Sequence, residues 1–171
     1  MNIFILDKDI DKCAKAHVKK HIGKLQLESA QLLCTALHLN EDLRNQLGVT
    51  DIPYKQTHKN HPSAVWSREN LDNYSYLAGL LYSLNLEYNR RYGKQHLSFT
   101  KMQDCGITGK EFYERAKSLD VELLNPPACM PDEYKRPTVI ESYREYYRVG
   151  KKNLHDWENS VVPDWIVNNF S

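Results

Sequence analysis

From residue 12 to residue 37 the chain carries no proline and a single glycine, Gly23. A stretch of that length without a breaker reads as one long helix. At about 100° per residue, His17, His21, Lys24, Glu28, Gln31 and Thr35 fall in an arc of roughly 80°. The neighbouring arc holds Ala14, Val18, Ile22, Leu25, Ser29, Leu32, Leu33 and Ala36 and faces a core. The polar stripe thus borders the core, with Leu27 and Cys34 on its other flank and Lys19 and Gln26 toward solvent. The plain alternative is a solvated polar face. Such faces are ordinarily built of Lys, Glu and Gln, however. Two imidazoles beside a lysine and a carboxylate on a covered edge suit acid–base chemistry, because burial and neighbouring charge displace their pKa values.

The remaining pattern is also helical. Residues 2–6 form a short apolar run, read as a strand or extended segment, and residues 7–11 form a polar turn that can cap the long helix. A helical turn is expected over 40–44, and a loop over 48–60 is marked by Gly48 and Pro53. A second long helical region spans 62–93, with Pro62 at its start, Gly93 at its end and a break near 67–70. Its seam is Tyr74, Leu77, Leu81, Leu84 and Tyr88. Thr108 to Glu111 reads as a capping box for a helix to about residue 119. A loop is expected over 125–131, then a helix from Pro137 to Val149, then an aromatic tail, residues 157–170, with a short helix after Pro163. The expected class is mainly α: a single compact helical domain with a short N-terminal strand or extended segment.

The length of 171 residues fits one domain. A net charge of +1 argues against a grip on extended duplex and for a small substrate or a short stretch of nucleic acid. The four cysteines show neither zinc-ribbon nor disulfide-scaffold spacing. No signal peptide and no membrane-spanning run is read, so a cytoplasmic location is expected and no membrane partner. His17 and His21 have helical metal-ligand spacing. Yet Val18 follows His17, and Lys24 sits one turn on, so no metal and no cofactor are expected.

Two further regions carry chemistry. Residues 54–68 place Tyr54, His58, His61, Trp66 and Arg68 at a loop-to-helix junction, where backbone N–H groups favour phosphate and Lys55 and Lys59 add charge. Trp66 either stacks on a base or belongs to the core. Residues 130–152 interleave aromatics with cations. Ile140, Tyr143 and Tyr147 share a core-facing side, and Arg144 and Arg148 share another. Asp132 and Glu133 either cap a helix or hold a cation from the stripe.

The runs Met1-Asn2-Ile3-Phe4, His17 to Leu33, Asn60-His61-Pro62 with Trp66 and Arg68, Met130 to Tyr134, and Tyr143 to Tyr147 resemble small phage-type proteins over nearly the whole chain. More distantly, the layout is similar to the pyrimidine-dimer DNA glycosylases, the endonuclease V family of phages. There, a helix bears a histidine and then a catalytic glutamate, a second helix ends in a stretch like Glu87 to Gly93, and a loop like Pro131-Asp132-Glu133 comes next. The resemblance implies a single glycosylase-like helical domain over residues 1–171, with His17 as the helix histidine and Glu28 as the catalytic carboxylate. That family uses a processed N-terminal amine as nucleophile, which needs a small second residue. Asn2 is not small, which leaves water, or the Lys24 amine if desolvated, as nucleophile.

The expected reaction is cleavage of an N-glycosidic bond in DNA or in a free or cyclic nucleotide. Glu28 stabilises the oxocarbenium-like transition state or activates water, and His17 or His21 gives the departing base a proton or a hydrogen bond. Lys24 and Arg68 hold phosphate, with Arg144 as a further cation. Trp66 or Tyr147 sandwiches the base beside Tyr143. Gln31 reads the base edge or orients water, and Tyr54, His58 and His61 line the substrate. The competing classes are a base- or nucleotidyl-transfer enzyme of phage DNA modification and a non-catalytic nucleotide-sequestering protein.

Overall fold

The computed structural model describes residues 1–168, which are about 60% helical and contain no strand. The expected mainly α class is therefore the observed one. Residues 1–6 run as an extended segment, not a strand, and Ile3, Phe4, Ile5 and Leu6 are buried. The helices are α1 (Ile10–Lys15), α2 (Lys19–Leu39), α3 (Glu41–Leu47), α4 (Pro62–Arg68), α5 (Leu71–Tyr92), α6 (Leu97–Asp104), α7 (Lys110–Lys117), α8 (Val139–Glu145) and α9 (Asp164–Val167). Residues 146–150 prolong α8 as a π-turn. Among the described residues no helix is long and apolar enough to cross a membrane.

Local sequence explains most ends. Asp9, Asn40 and Asn70 each accept backbone N–H groups at the starts of α1, α3 and α5. Thr138 and Glu141 form a reciprocal capping box on α8. Gly48 and Gly93 end α3 and α5 in the left-handed conformation. The expected break between α4 and α5 is present. The expected capping box at Thr108 is not: Gly109 is the N-cap of α7, and the Thr108 hydroxyl donates instead to the Ala78 carbonyl at 2.6 Å. The short helix after Pro163 is α9, while residues 169–171 of the chain, which include the end of the expected tail, lie outside the described residues.

The long helix expected over 12–37 is two helices, α1 and α2, joined by a bend at residues 16–18. Tertiary partners replace the helical ladder there. In a straight helix Lys15 O would receive the Lys19 N–H. Here Lys15 O and His17 O both accept from the Arg91 guanidinium, and Ala16 O accepts from Trp157 Nε1. The Val18 N–H goes to the Tyr147 hydroxyl and the Lys19 N–H to Asp156 O. The backbone groups freed by the bend have thus found partners, so the bend carries little desolvation penalty.

Helix α2 packs on α4, α5 and α6. That leaves less of its circumference to solvent than a one-sided pattern implies, and Gln26, expected outside, is fully buried with its amide donating to Ile22 O. Helix α7 presses on α5 at Gly79, where an added Cβ would lie 2.4 Å from Ala116 Cβ and 2.8 Å from the Phe112 carbonyl oxygen. Gly79→Ala is therefore expected to cost about 1–3 kcal/mol by overpacking, although alanine is the better helix former by ~1 kcal/mol. A urea melt showing a stabilised Gly79→Ala protein would contradict this contact.

Candidate functional site

The stripe residues stand in two groups. His17 lies in the bend, not on α2, and its side chain is wholly buried. Its Nδ1 is 2.7 Å from Cys13 O, which can only accept, so Nδ1 carries the proton and Nε2 is bare. Nε2 has no partner among the described residues. Burial, reinforced by Arg91, lowers its pKa to about 4 against the backbone bond to Cys13. His17 is thus a neutral core imidazole with no outlet to a substrate, which corrects its expected role as a proton donor.

His21 is buried on the first turn of α2, its Nδ1 2.7 Å from the Tyr147 hydroxyl and its ring 4.7 Å from that of Phe4. Burial comes first in lowering its pKa to about 3, followed by the repulsion of His17, Lys151, Lys24 and Lys20. An imidazolium is not available from it near neutral pH, which corrects the expected acid chemistry.

The second group surrounds Glu28. Its side chain is 19% exposed and lies 3.6 Å from Lys24 Nζ, whose own side chain is 56% exposed. The desolvation that an amine nucleophile needs is therefore absent at Lys24. The loop after α3 runs back along α2: Tyr54 O accepts from His38 Nε2, and Thr57 N–H donates to the Thr35 hydroxyl at 3.0 Å. The Thr35 proton is shared between Thr57 O and Gln31 O. This antiparallel course brings His61 within electrostatic reach of Glu28. Partial burial lowers the His61 pKa, aided by the Met1 amine and His58 and opposed by Glu28. His58 holds φ of 47°, an uncommon conformation for a residue with a side chain. His61 also caps α4 through Nδ1, accepting the Ser63 N–H. Gln31 is half-buried on the same stripe.

Of the other expected residues only Tyr147 meets the stripe, at His21. Trp66 is buried and donates to Leu124 O. Tyr143 is buried, donating to Pro127 O and accepting the Cys129 N–H. Both belong to the core because their hydroxyl or indole groups are satisfied by backbone. Arg68 donates to Lys59 O. Arg144 binds Leu6 O and Asp7 and stacks on Trp165 at 5.3 Å. Tyr54 bonds Ser98 and lies under Lys101. Tyr147, expected to stack on a base, is buried against His21. Asp132 pairs with Lys135, not with a stripe cation.

One aromatic the sequence pattern passes over is left partly open. Tyr146 is half-buried, 6.2 Å from Phe4, 5.1 Å from Tyr134, and covered by Lys151 Nζ at 4.9 Å. Gly150 permits this, since a Cβ there would lie 2.5 Å from the Tyr146 ring. Only the Tyr146-Tyr147 pair hints at it, because adjacent helical residues point to different faces. A groove of about 370 Å³ lies elsewhere, between α1 and the tail, lined by Lys12, Lys15, Val162 and Trp165 among others. No group of three or more His, Cys, Asp or Glu side chains among the described residues could hold a metal ion. Comparison with protein-family models, curated proteins and solved structures gives no match to this chain.

Proposed function

We propose that the protein hydrolyses the N-glycosidic bond of a nucleotide. The observation that carries this reading is the setting of Glu28: a largely covered carboxylate beside a lysine, within electrostatic reach of His61 on the loop pinned at Thr35. Glycoside hydrolysis needs a carboxylate near the sugar to stabilise positive charge or to take a proton from water. Glu28 fills that role. The C1′–N bond breaks with its electron pair on the base, the water oxygen bonds to C1′, and the water proton passes to Glu28 and from there to the base or solvent. Lys24 is half-exposed and ion-paired, which favours water over an amine as nucleophile. Glu28 and His21 start about 10 Å apart along the helix axis, and the sugar with its base bridges them. Lys24 pairs with Glu28, and Lys20 and Lys151 act electrostatically on His21; Arg68 and Arg144 are engaged by the fold. The resemblance to pyrimidine-dimer glycosylases supports the same reaction class, and free thiols fit action in a reducing cytoplasm. A net charge of +1 favours a free or cyclic nucleotide over long duplex.

The test is incubation with mononucleotides, cyclic dinucleotides and single- and double-stranded DNA, with mass spectrometry for released base. Glu28→Gln is expected to lower turnover by at least about 100-fold while binding persists. Release of base by the variant at the wild-type rate would remove Glu28 from the chemistry. Binding without release of base by the wild type would instead identify a sequestering protein. Steep weakening of binding with salt would favour DNA as substrate.

A further inference from the structure

The Tyr147 hydroxyl is buried and has one proton to give. It accepts the Val18 N–H at 3.2 Å and lies 2.7 Å from His21 Nδ1. If Nδ1 carried a proton, the hydroxyl would receive two N–H groups and its own hydrogen would be buried without an acceptor, at a cost of about 1–3 kcal/mol. The satisfied arrangement has the hydroxyl donating to a bare Nδ1, which places the ring proton on Nε2. That nitrogen bonds to no described residue, and the residue as a whole is 4% exposed. His17 has the opposite tautomer, with its proton locked on Cys13 O.

We infer that His21 is a neutral hydrogen-bond donor to the substrate through Nε2–H, held in that tautomer by Tyr147 as a positioning residue; this rests on the glycosidic reading above. Donation from an uncharged imidazole polarises the departing base as its electron pair arrives, and no proton is lost from the ring. The surroundings keep the ring neutral from every side. Lys20 and Lys24 act on it from α2 and Lys151 from the C-terminal turn, the neutral His17 lies in the bend, and Phe4 and Tyr147 pack against the ring. The bend makes this geometry, since the Val18 N–H is free to bind Tyr147 only where the helical ladder is interrupted.

The experiment is nitrogen-15 spectroscopy of the imidazoles in the free protein between pH 5 and 8, where bare and protonated ring nitrogens resonate far apart. His21 is expected to show a bare Nδ1 and a protonated Nε2 throughout. In Tyr147→Phe that single tautomer is expected to give way to a mixture. An Nδ1-protonated ring, or titration to imidazolium within that range, overturns the assignment. The spectrum of the wild type decides this even where the variant does not fold and whether or not any nucleotide is cleaved. On a substrate that releases base, His21→Ala is expected to lose about 100-fold, while His21→Gln, whose amide still donates, stays within about tenfold. Equal losses in the two variants, or a near-neutral inflection in the wild-type pH profile that vanishes in His21→Gln, would also overturn it.

Discussion

The stability of the protein is expected to fall as pH drops below about 6.5, by about 3 kcal/mol before pH 4 is reached. His17 is wholly buried and its pKa falls from the ordinary 6.5 to about 4. The unfolded chain therefore takes up a proton through this window while the folded chain does not, and each proton so bound favours unfolding. Above 6.5 neither state is protonated and the stability is complete. His21, lowered to about 3, acts in the same direction, but the two rings repel each other, so their losses do not simply add. Glu87, whose pKa is held below its ordinary 4.5, loses its contribution only at lower pH. The interval from 6.5 to 4.5 thus belongs to the imidazoles. Urea midpoints measured across it should decline with falling pH, and His17→Gln should flatten the slope, since an amide does not titrate. A level wild-type profile would mean that the imidazoles are not buried in neutral form.

The second large effect is expected at Glu87. Its carboxylate is buried, 2.6 Å from Arg90 and 2.8 Å from Arg91. Burial alone would raise its pKa, but the hydrogen bonds from the two guanidiniums outweigh that and leave it lowered. The Arg91 side chain is itself fully covered and donates through Nη2 to Lys15 O and His17 O. Glu87→Ala would leave that guanidinium buried without its counter-charge, at a cost of about 3–5 kcal/mol. The damage should spread along a stated route, from Arg91 to the bend at residues 16–18 and so to His17 and His21. Combining Glu87→Gln with Arg91→Met removes both charges and is expected to cost less than the sum of the two single variants, although it also orphans Lys15 O and His17 O. Additive losses in that cycle would show that the pair is not coupled.

The stripe shows how far local pattern reaches and where it stops. Glu28, Lys24 and Gln31 share a face because the 3.6-residue period holds along α2, and the loop leading to His61 is pinned to the same helix at Thr35. Thr138 and Glu141 form the kind of capping box that a motif can announce, whereas the similar run from Thr108 to Glu111 does not, because the Thr108 hydroxyl is drawn to Ala78 O on another helix. His17 drops out of the stripe, and Gln26 is buried, because distant residues compete for the same surfaces and backbone groups. As residue types, Trp66, Tyr143 and Tyr147 are indistinguishable in promise from Tyr146. Only the last is left partly open, and what separates them is which polar tip finds a buried partner.

By itself the sequence determined most of the helices, though not α6, several of their caps and the polar edge of α2, since these depend on interactions within a few residues. Tertiary structure alone decided that the long proline-free stretch bends. Arg91, Trp157, Tyr147 and Asp156, all far along the chain, take the backbone groups that a straight helix would pair internally. The same long-range bonds fix the bend that holds His17 inside, and through the bend the Tyr147 hydroxyl meets both the Val18 N–H and Nδ1 of His21.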